Sequence, residues 1–195
     1  WDRIEPNPGE WDVSALETYK KIIDAVHEHG MSVVICLQSF VLPRWLAKLG
    51  GNCSEDFPSR FADYAEKITQ HLLPHCRDST LWLSFSRPQL WVIKSHGENL
   101  WPPGEKDYAE TLKALALLAK AHFQAVDKMR QVSPKALHIS YLQGLWDVRV
   151  KNKFNPFDHL TRFFFKKYFN LKFYQVILSA SNVWKLPGVR RYQTE

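Results

Sequence analysis

The side chains best suited to chemistry cluster in a few places. The stretch Ser84-Phe-Ser-Arg-Pro88 puts two hydroxyls and a guanidinium just ahead of a proline. A guanidinium stays protonated at any working pH and offers five N–H donors. Arg87 therefore suits an anion such as a phosphosugar or a partner carboxylate, and equally suits lying across Trp or Tyr neighbours. It does not suit donating and regaining a proton near neutrality. Glu98 is the nearest carboxylate downstream, and as a loop residue it reads as solvated rather than as a substitute acid. His122 falls on an apolar helical stripe with no second His or Cys at ligand spacing, which fits a packed ring and no metal site. Trp45 and Trp101 have faces broad enough to stack on a sugar, and are as well suited to anchoring loops. Cys36, Cys53 and Cys76 form no C-x-x-C pair, so reduced thiols in a cytoplasmic chain are expected.

Alternating helices and apolar strands must position these groups. An N-cap is expected at Ser14 with Glu17 as its capping-box partner. Leu16, Tyr19, Ile22, Ile23 and Val26 then recur at helical spacing up to Gly30. Residues 32–37 read as a short buried strand. Pro58 suits the first turn of a second helix, with Phe61, Tyr64, Ala65, Ile68 and Leu72 on one face. Residues 80–85 are a second strand candidate, followed by a loop through the Pro- and Gly-rich stretch 101–104. A long helix is expected from near Asp107, with Leu112, Leu115, Leu118, Ala119, His122, Val126 and Met129 as its stripe. Residues 136–141 make a third strand. Asn155-Pro156 opens an aromatic helix to about Phe173, and residues 176–195 show no clear period. This alternation predicts an α/β fold with parallel strands, whose functional groups gather at strand C-termini. No GxGxxG or GxxxxGK[ST] follows any strand, so no nucleotide and no cofactor is expected.

The 195 residues carry 45% hydrophobic and 24% charged side chains, ordinary values for a folded domain, and no run is apolar enough for a membrane helix. Eight Trp, seven Tyr and twelve Phe make the chain rich in aromatics, which fits large aromatic packing or a ligand groove. The net charge of +6 lies in the last quarter, where ten Lys and Arg stand against Asp147, Asp158 and Glu195 alone. Those cations are spread among Phe and Tyr without a nucleic-acid motif and read as a solvated face, so neither nucleic acid nor membrane is expected as a partner.

Several segments together resemble glycoside hydrolase family 1, the β-glycosidases. Arg3-Ile-Glu-Pro6 with Gly9-Glu-Trp11 resembles R-I-x-P…G-x-[FW]. Phe40-Val-Leu-Pro-Arg-Trp-Leu46 with Gly50-Gly51 is similar to the family's H-[FW]-x-L-P-x-x-L…G-G. Leu100-Trp-Pro-Pro-Gly104 looks like its W-P-P-G loop, Ala121-His122 like the A-H of the following helix, and Asn155-Pro-Phe-Asp158 like its N-P-x-D. The resemblance implies a (β/α)₈ TIM barrel, present here in part as roughly βα units 2 to 5 or 6. It covers residues 1–175, with 176–195 a tail of unclear assignment. It also implies retaining hydrolysis of β-linked glucosides or galactosides by two carboxyl groups about 5–5.5 Å apart.

Where the resemblance places the sugar, the residues differ. Aligning Pro88 with the Pro of T-[FIL]-N-E-P puts Ser86 at the Asn and Arg87 at the acid/base Glu. Ser39 stands at the family's sugar-binding His, and Leu142 at an Asn. The strand bearing the nucleophile would follow Glu195, and the first strand would precede Trp1, so 195 residues are expected to be part of a barrel of about 250 or more. Scaffold positions (Arg3, Pro6, Pro43, Gly51, Pro88, Trp101, Gly104, His122) match the family and sugar-contacting ones do not. No catalytic residue is expected in this chain. Ser39, Ser86, Arg87, Trp45 and Trp101 are the candidate substrate-binding set, for a β-glycoside or phosphosugar. The expectation is a chain that does not hydrolyse glycosides by itself, with a protein partner supplying the missing strands. The alternatives are a non-catalytic sugar- or protein-binding module on the same scaffold, and a working hydrolase completed by another chain or a longer precursor.

Overall fold

A computed structural model describes residues 1–104, 106–134, 150–164 and 166–167 in full, and the backbone of 138–142, 183–184 and 192–193. Helix α1 (Val13–Glu28) leads to strand β1 (Val34–Gln38), then to the short helix α2 (Arg44–Lys48) and a 3₁₀ turn at Gly51–Cys53. Helix α3 (Phe57–Leu72) returns to β2 (Leu81–Ser86), which is followed by α4 (Pro88–Val92) and a π-helical turn, Ile93–Gly97. Helix α5 (Tyr108–Val132) leads to β3 (His138–Leu142), and α6 (Pro156–Phe164) follows. The strands form one parallel sheet in the order β1-β2-β3. This is the α/β alternation expected from the sequence.

Local chemistry explains most boundaries. Asp107 caps α5, its Oδ1 accepting from the amides of Ala109 (2.7 Å) and Glu110 (3.2 Å). The start of α1 corrects the expected cap. Asp12, not Ser14, is the N-cap, its Oδ1 accepting from the Ala15 amide at 3.0 Å. The carboxylate lies one position before the first helical residue, and Ser14 is already inside the helix. The face of α1 also differs, with Leu16, Ile23 and His27 buried while Tyr19 and Ile22 are exposed.

The α3 and α5 stripes bury as their spacing predicts. Phe61, Tyr64, Ala65, Ile68 and Leu72 of α3 are all inside, as are all seven expected positions of α5. Aromatic rings fill the space between α3 and β2. Phe61 stacks on Phe85 with ring centres 4.4 Å apart, Phe57 on Phe61 at 6.0 Å, and Trp1 on Tyr64 at 4.7 Å. The Tyr64 hydroxyl donates to the Leu37 carbonyl at 3.1 Å, tying α3 to β1. A fully buried aromatic side chain contributes about 2–3 kcal/mol by area, and favourable ring pairs add roughly 0.5–1.5 kcal/mol. This cluster is therefore the centre of the fold.

β1 departs from a fully buried strand. Leu37 and Gln38 are inside, but Val34 is 55% exposed and Cys36 is also exposed. On β2, Trp82 is wholly buried while Leu81, paired with Val34, is exposed. Side chains alternate across a pleat, so Trp82 faces the helices and Val34 and Leu81 the opposite side. β-branched runs alone do not say which side is covered.

Helix α6 ends at Phe164, and residues 165 and 168–173 of the expected longer helix lie outside the described residues. Phe157, Leu160, Phe163 and Phe164 are exposed. In the basic tail, β4 (Val183–Trp184) and β5 (Tyr192–Gln193) pair antiparallel; the rest of 176–195 lies outside the described residues. Among the described residues no helix is long and apolar enough to cross a membrane.

Candidate active site

Parallel strands bring their C-terminal ends to one rim, and the expected sugar-contacting positions lie there. Gln38 pairs with Phe85, so Ser39 and Ser86 are the next positions on neighbouring strands. Ser86 in turn pairs with Leu142 through an irregular step in the β2–β3 register; the Leu142 side chain lies outside the described residues. Gln38 is buried and its Nε2 donates to the Val41 carbonyl at 3.3 Å, closing the turn after β1. Ser39 is exposed and Ser86 half-buried.

Arg87 caps α4 in the left-handed region, with φ 50° and ψ 52°, and its side chain is exposed. Phe40, on the neighbouring loop, has φ 64°. A residue with a Cβ loses roughly 1–2 kcal/mol in this region, so the surrounding structure must impose it at both places. Pro88 provides part of that constraint, since its fixed φ starts α4 immediately after the bend. Arg87 is thus carried on a sharp strand-to-helix corner at the rim.

The two candidate tryptophans have different surroundings. Trp45 donates from Nε1 to the Glu5 carbonyl at 3.0 Å, meets Trp1 edge-on at 6.3 Å, and carries the Arg60 guanidinium 5.9 Å from its ring centre. Those are the contacts of a loop anchor. Trp101 meets Phe40 edge-on at 5.1 Å, one residue from Ser39. Glu98 is exposed and ion-paired with Lys94, four residues away on the same turn.

Below the rim, Ser84 Oγ and His122 Nδ1 form a buried 2.7 Å hydrogen bond between β2 and α5. Burial drops the His122 pKa to about 4, so the ring is neutral at pH 7. Sequence periodicity places His122 on the buried stripe, but Ser84, 38 residues away, carries no local sign of being its partner. Among the described residues no three His, Cys, Asp or Glu side chains are grouped so as to hold a metal ion.

This arrangement of strands, corner and loops has known counterparts. The sequence matches the family model for glycosyl hydrolase family 1 over residues 1–174. The chain belongs to glycosyl hydrolase family 1. It is 30% identical over 158 residues to a chloroplastic beta-glucosidase-like SFR2 of Oryza sativa, covering 69% of this chain and 24% of the relative. It is 29% identical over 188 residues to the chloroplastic galactolipid galactosyltransferase SFR2 of Arabidopsis thaliana, covering 82% of this chain and 30% of the relative. The chain therefore spans less than a third of the length of these two relatives. A beta-glycosidase structure from Pyrococcus horikoshii superposes with a TM-score of 0.83 at 22% identity, over 99% of this chain and 43% of the other. The α/β fold of family 1 is thus shared, over part of its length.

Proposed function

We propose that this chain is a family 1 glycosidase scaffold whose rim no longer supports acid/base hydrolysis of glycosides. The observation carrying this reading is Arg87 at the corner after β2, where the family motif would place the proton-donating Glu. A guanidinium stays protonated at neutral pH, so it neither protonates a leaving oxygen nor regains a proton there. The rim carries hydroxyls at Ser39 and Ser86 and a cation at Arg87, a set that binds oxygen-rich or anionic groups better than it cleaves them. A β-glycoside or phosphosugar is the ligand class this favours. The open side of the sheet, bearing Val34 and Leu81, leaves room for further strands from another segment or partner chain.

The test is turnover and binding in one preparation. Aryl β-glucoside and β-galactoside should show no release above buffer, and galactolipid vesicles, chosen because one relative is named a galactolipid galactosyltransferase, no transfer. Turnover that disappears in Arg87→Ala would overturn the proposal. Calorimetric titration with glucose 6-phosphate and methyl β-glucoside should give a saturable signal weakened in Arg87→Ala. A signal unchanged by that substitution would remove Arg87 from the binding set.

A further inference from the structure

Beside the rim, the loop after α2 and the π-helical turn after α4 enclose a cavity of about 490 Å³, bordered on one side by Phe40. Its polar wall combines Asn52, Cys53 and His96, all buried. Cys53 Sγ lies 3.4 Å from His96 Nε2, and the same nitrogen lies 3.0 Å from Asn52 Oδ1. Sγ is also 3.7 Å from the Glu110 carbonyl, in the first turn of α5. Asn52 is only 3% exposed, and its Nδ2 has no hydrogen-bond partner. Phe40, Leu42, Trp91, Pro102 and Pro103 form the apolar part of the wall.

A neutral ring with its proton on Nε2 already donates to Asn52 Oδ1 at 3.0 Å. In the other tautomer Nε2 is placed to take the thiol proton across 3.4 Å; the N–H so formed donates to Asn52 Oδ1, and the imidazolium lies beside the new thiolate. The Glu110 carbonyl, 3.7 Å from Sγ, accepts from the thiol while it is protonated. The unpaired Nδ2–H₂ remains to meet an acceptor oxygen, because a buried amide donor without a partner is unfavourable.

We propose that Cys53, His96 and Asn52, none of them among the sugar-contacting positions at the rim, form a thiol-addition site for small α,β-unsaturated carbonyl compounds with a flat apolar body. His96 Nε2 takes the proton from Cys53. The thiolate forms an S–C bond to the β-carbon, and the C=C π pair moves to give an enolate whose oxygen accepts from Asn52 Nδ2. The His96 proton is then delivered to the α-carbon, restoring the carbonyl and leaving a thioether. Nothing leaves, and no oxidant or reductant is needed. The apolar wall accepts the rest of the molecule.

Cys36 and Cys76 are internal controls. Cys36 is exposed and Cys76 part-buried, and burial pushes both of their thiols up from the ordinary value. The intact chain is treated with substoichiometric N-ethylmaleimide at pH 7, and in parallel with iodoacetamide, and the labelled cysteines are mapped by mass spectrometry. With N-ethylmaleimide, Cys53 should react at least tenfold faster than Cys36; with iodoacetamide, which needs no carbonyl-bearing alkene, that preference should shrink. His96→Gln should slow Cys53 labelling about tenfold and flatten its pH–rate profile, where Lys48 and Glu110 are the other ionisable groups of the wall. Asn52→Ala should slow the maleimide reaction more than the iodoacetamide one. Unchanged Cys36 and Cys76 rates report that each variant is folded. Cys36 reacting ahead of Cys53 in the unsubstituted chain overturns the proposal without any variant. An equal Cys53 preference with both reagents overturns the ligand class.

Discussion

The two ends of β2 are held to different standards. Trp82 and Phe85 are buried, Phe85 is stacked on Phe61 at 4.4 Å, and Ser84 meets His122 at 2.7 Å. One and two residues beyond Phe85, Ser86 is half-buried and Arg87 exposed. The layer beneath is fixed by many mutual contacts, whereas the rim is fixed mainly by backbone geometry. Side chains at the rim can therefore change without loss of the fold, which is how a chain keeps the family's architecture with Arg87 at its corner.

The contrast is sharpest for stability. Phe61→Ala should cost about 3–5 kcal/mol, because it opens a cavity against Phe57, Tyr64 and Phe85. Urea titration would read this as a lower midpoint, and a loss under about 1 kcal/mol would mean that the layer is not the centre of the fold. The second test uses acid. His122 has a folded pKa of about 4 against 6.5 for a solvated histidine, so between these values the unfolded state binds the proton and the native state does not. Stability should be full above pH 6.5, fall by about 3 kcal/mol as pH drops toward 4, and level off below that. Its removal in His122→Gln, in unfolding curves taken across that pH range, would assign the drop to this ring.

Ser84→Ala leaves the His122 Nδ1 without this partner and should cost about 1–3 kcal/mol, against almost nothing for Ser86→Ala. Arg87→Ala should change stability by less than about 0.5 kcal/mol. Arg87→Gly should be neutral to slightly stabilising, since relief of the positive φ offsets the freedom gained by the unfolded chain. A loss of several kcal/mol in either Arg87 variant would erase the distinction between layer and rim.

What was legible in the sequence follows the range of the forces involved. The α3 and α5 faces were readable because a 3.6-residue period, Pro58 and the Asp107 cap are local signals. The position of Arg87 on the chain was readable because Pro88 and the preceding strand are local too. Four features were not. Asp12 competes with Ser14 as a cap within two residues, and spacing does not decide between them. Helix α4 and the π-helical turn are too short to show a period. The exposure of Val34 and Leu81 depends on what lies across the sheet, which no run of apolar residues reports. The Cys53–His96 contact joins residues 43 apart through two loops, and neither residue belongs to a recognisable spacing.

The open face of the sheet has a practical consequence. Among the described residues β1 is an edge strand, with Val34 and Cys36 exposed, and α6 turns Phe157, Leu160 and Phe163 outward. Unpaired backbone groups beside apolar side chains are the usual template for strands pairing edge to edge between molecules. The concentration at which these 195 residues stay monomeric should therefore be limited by pairing along β1.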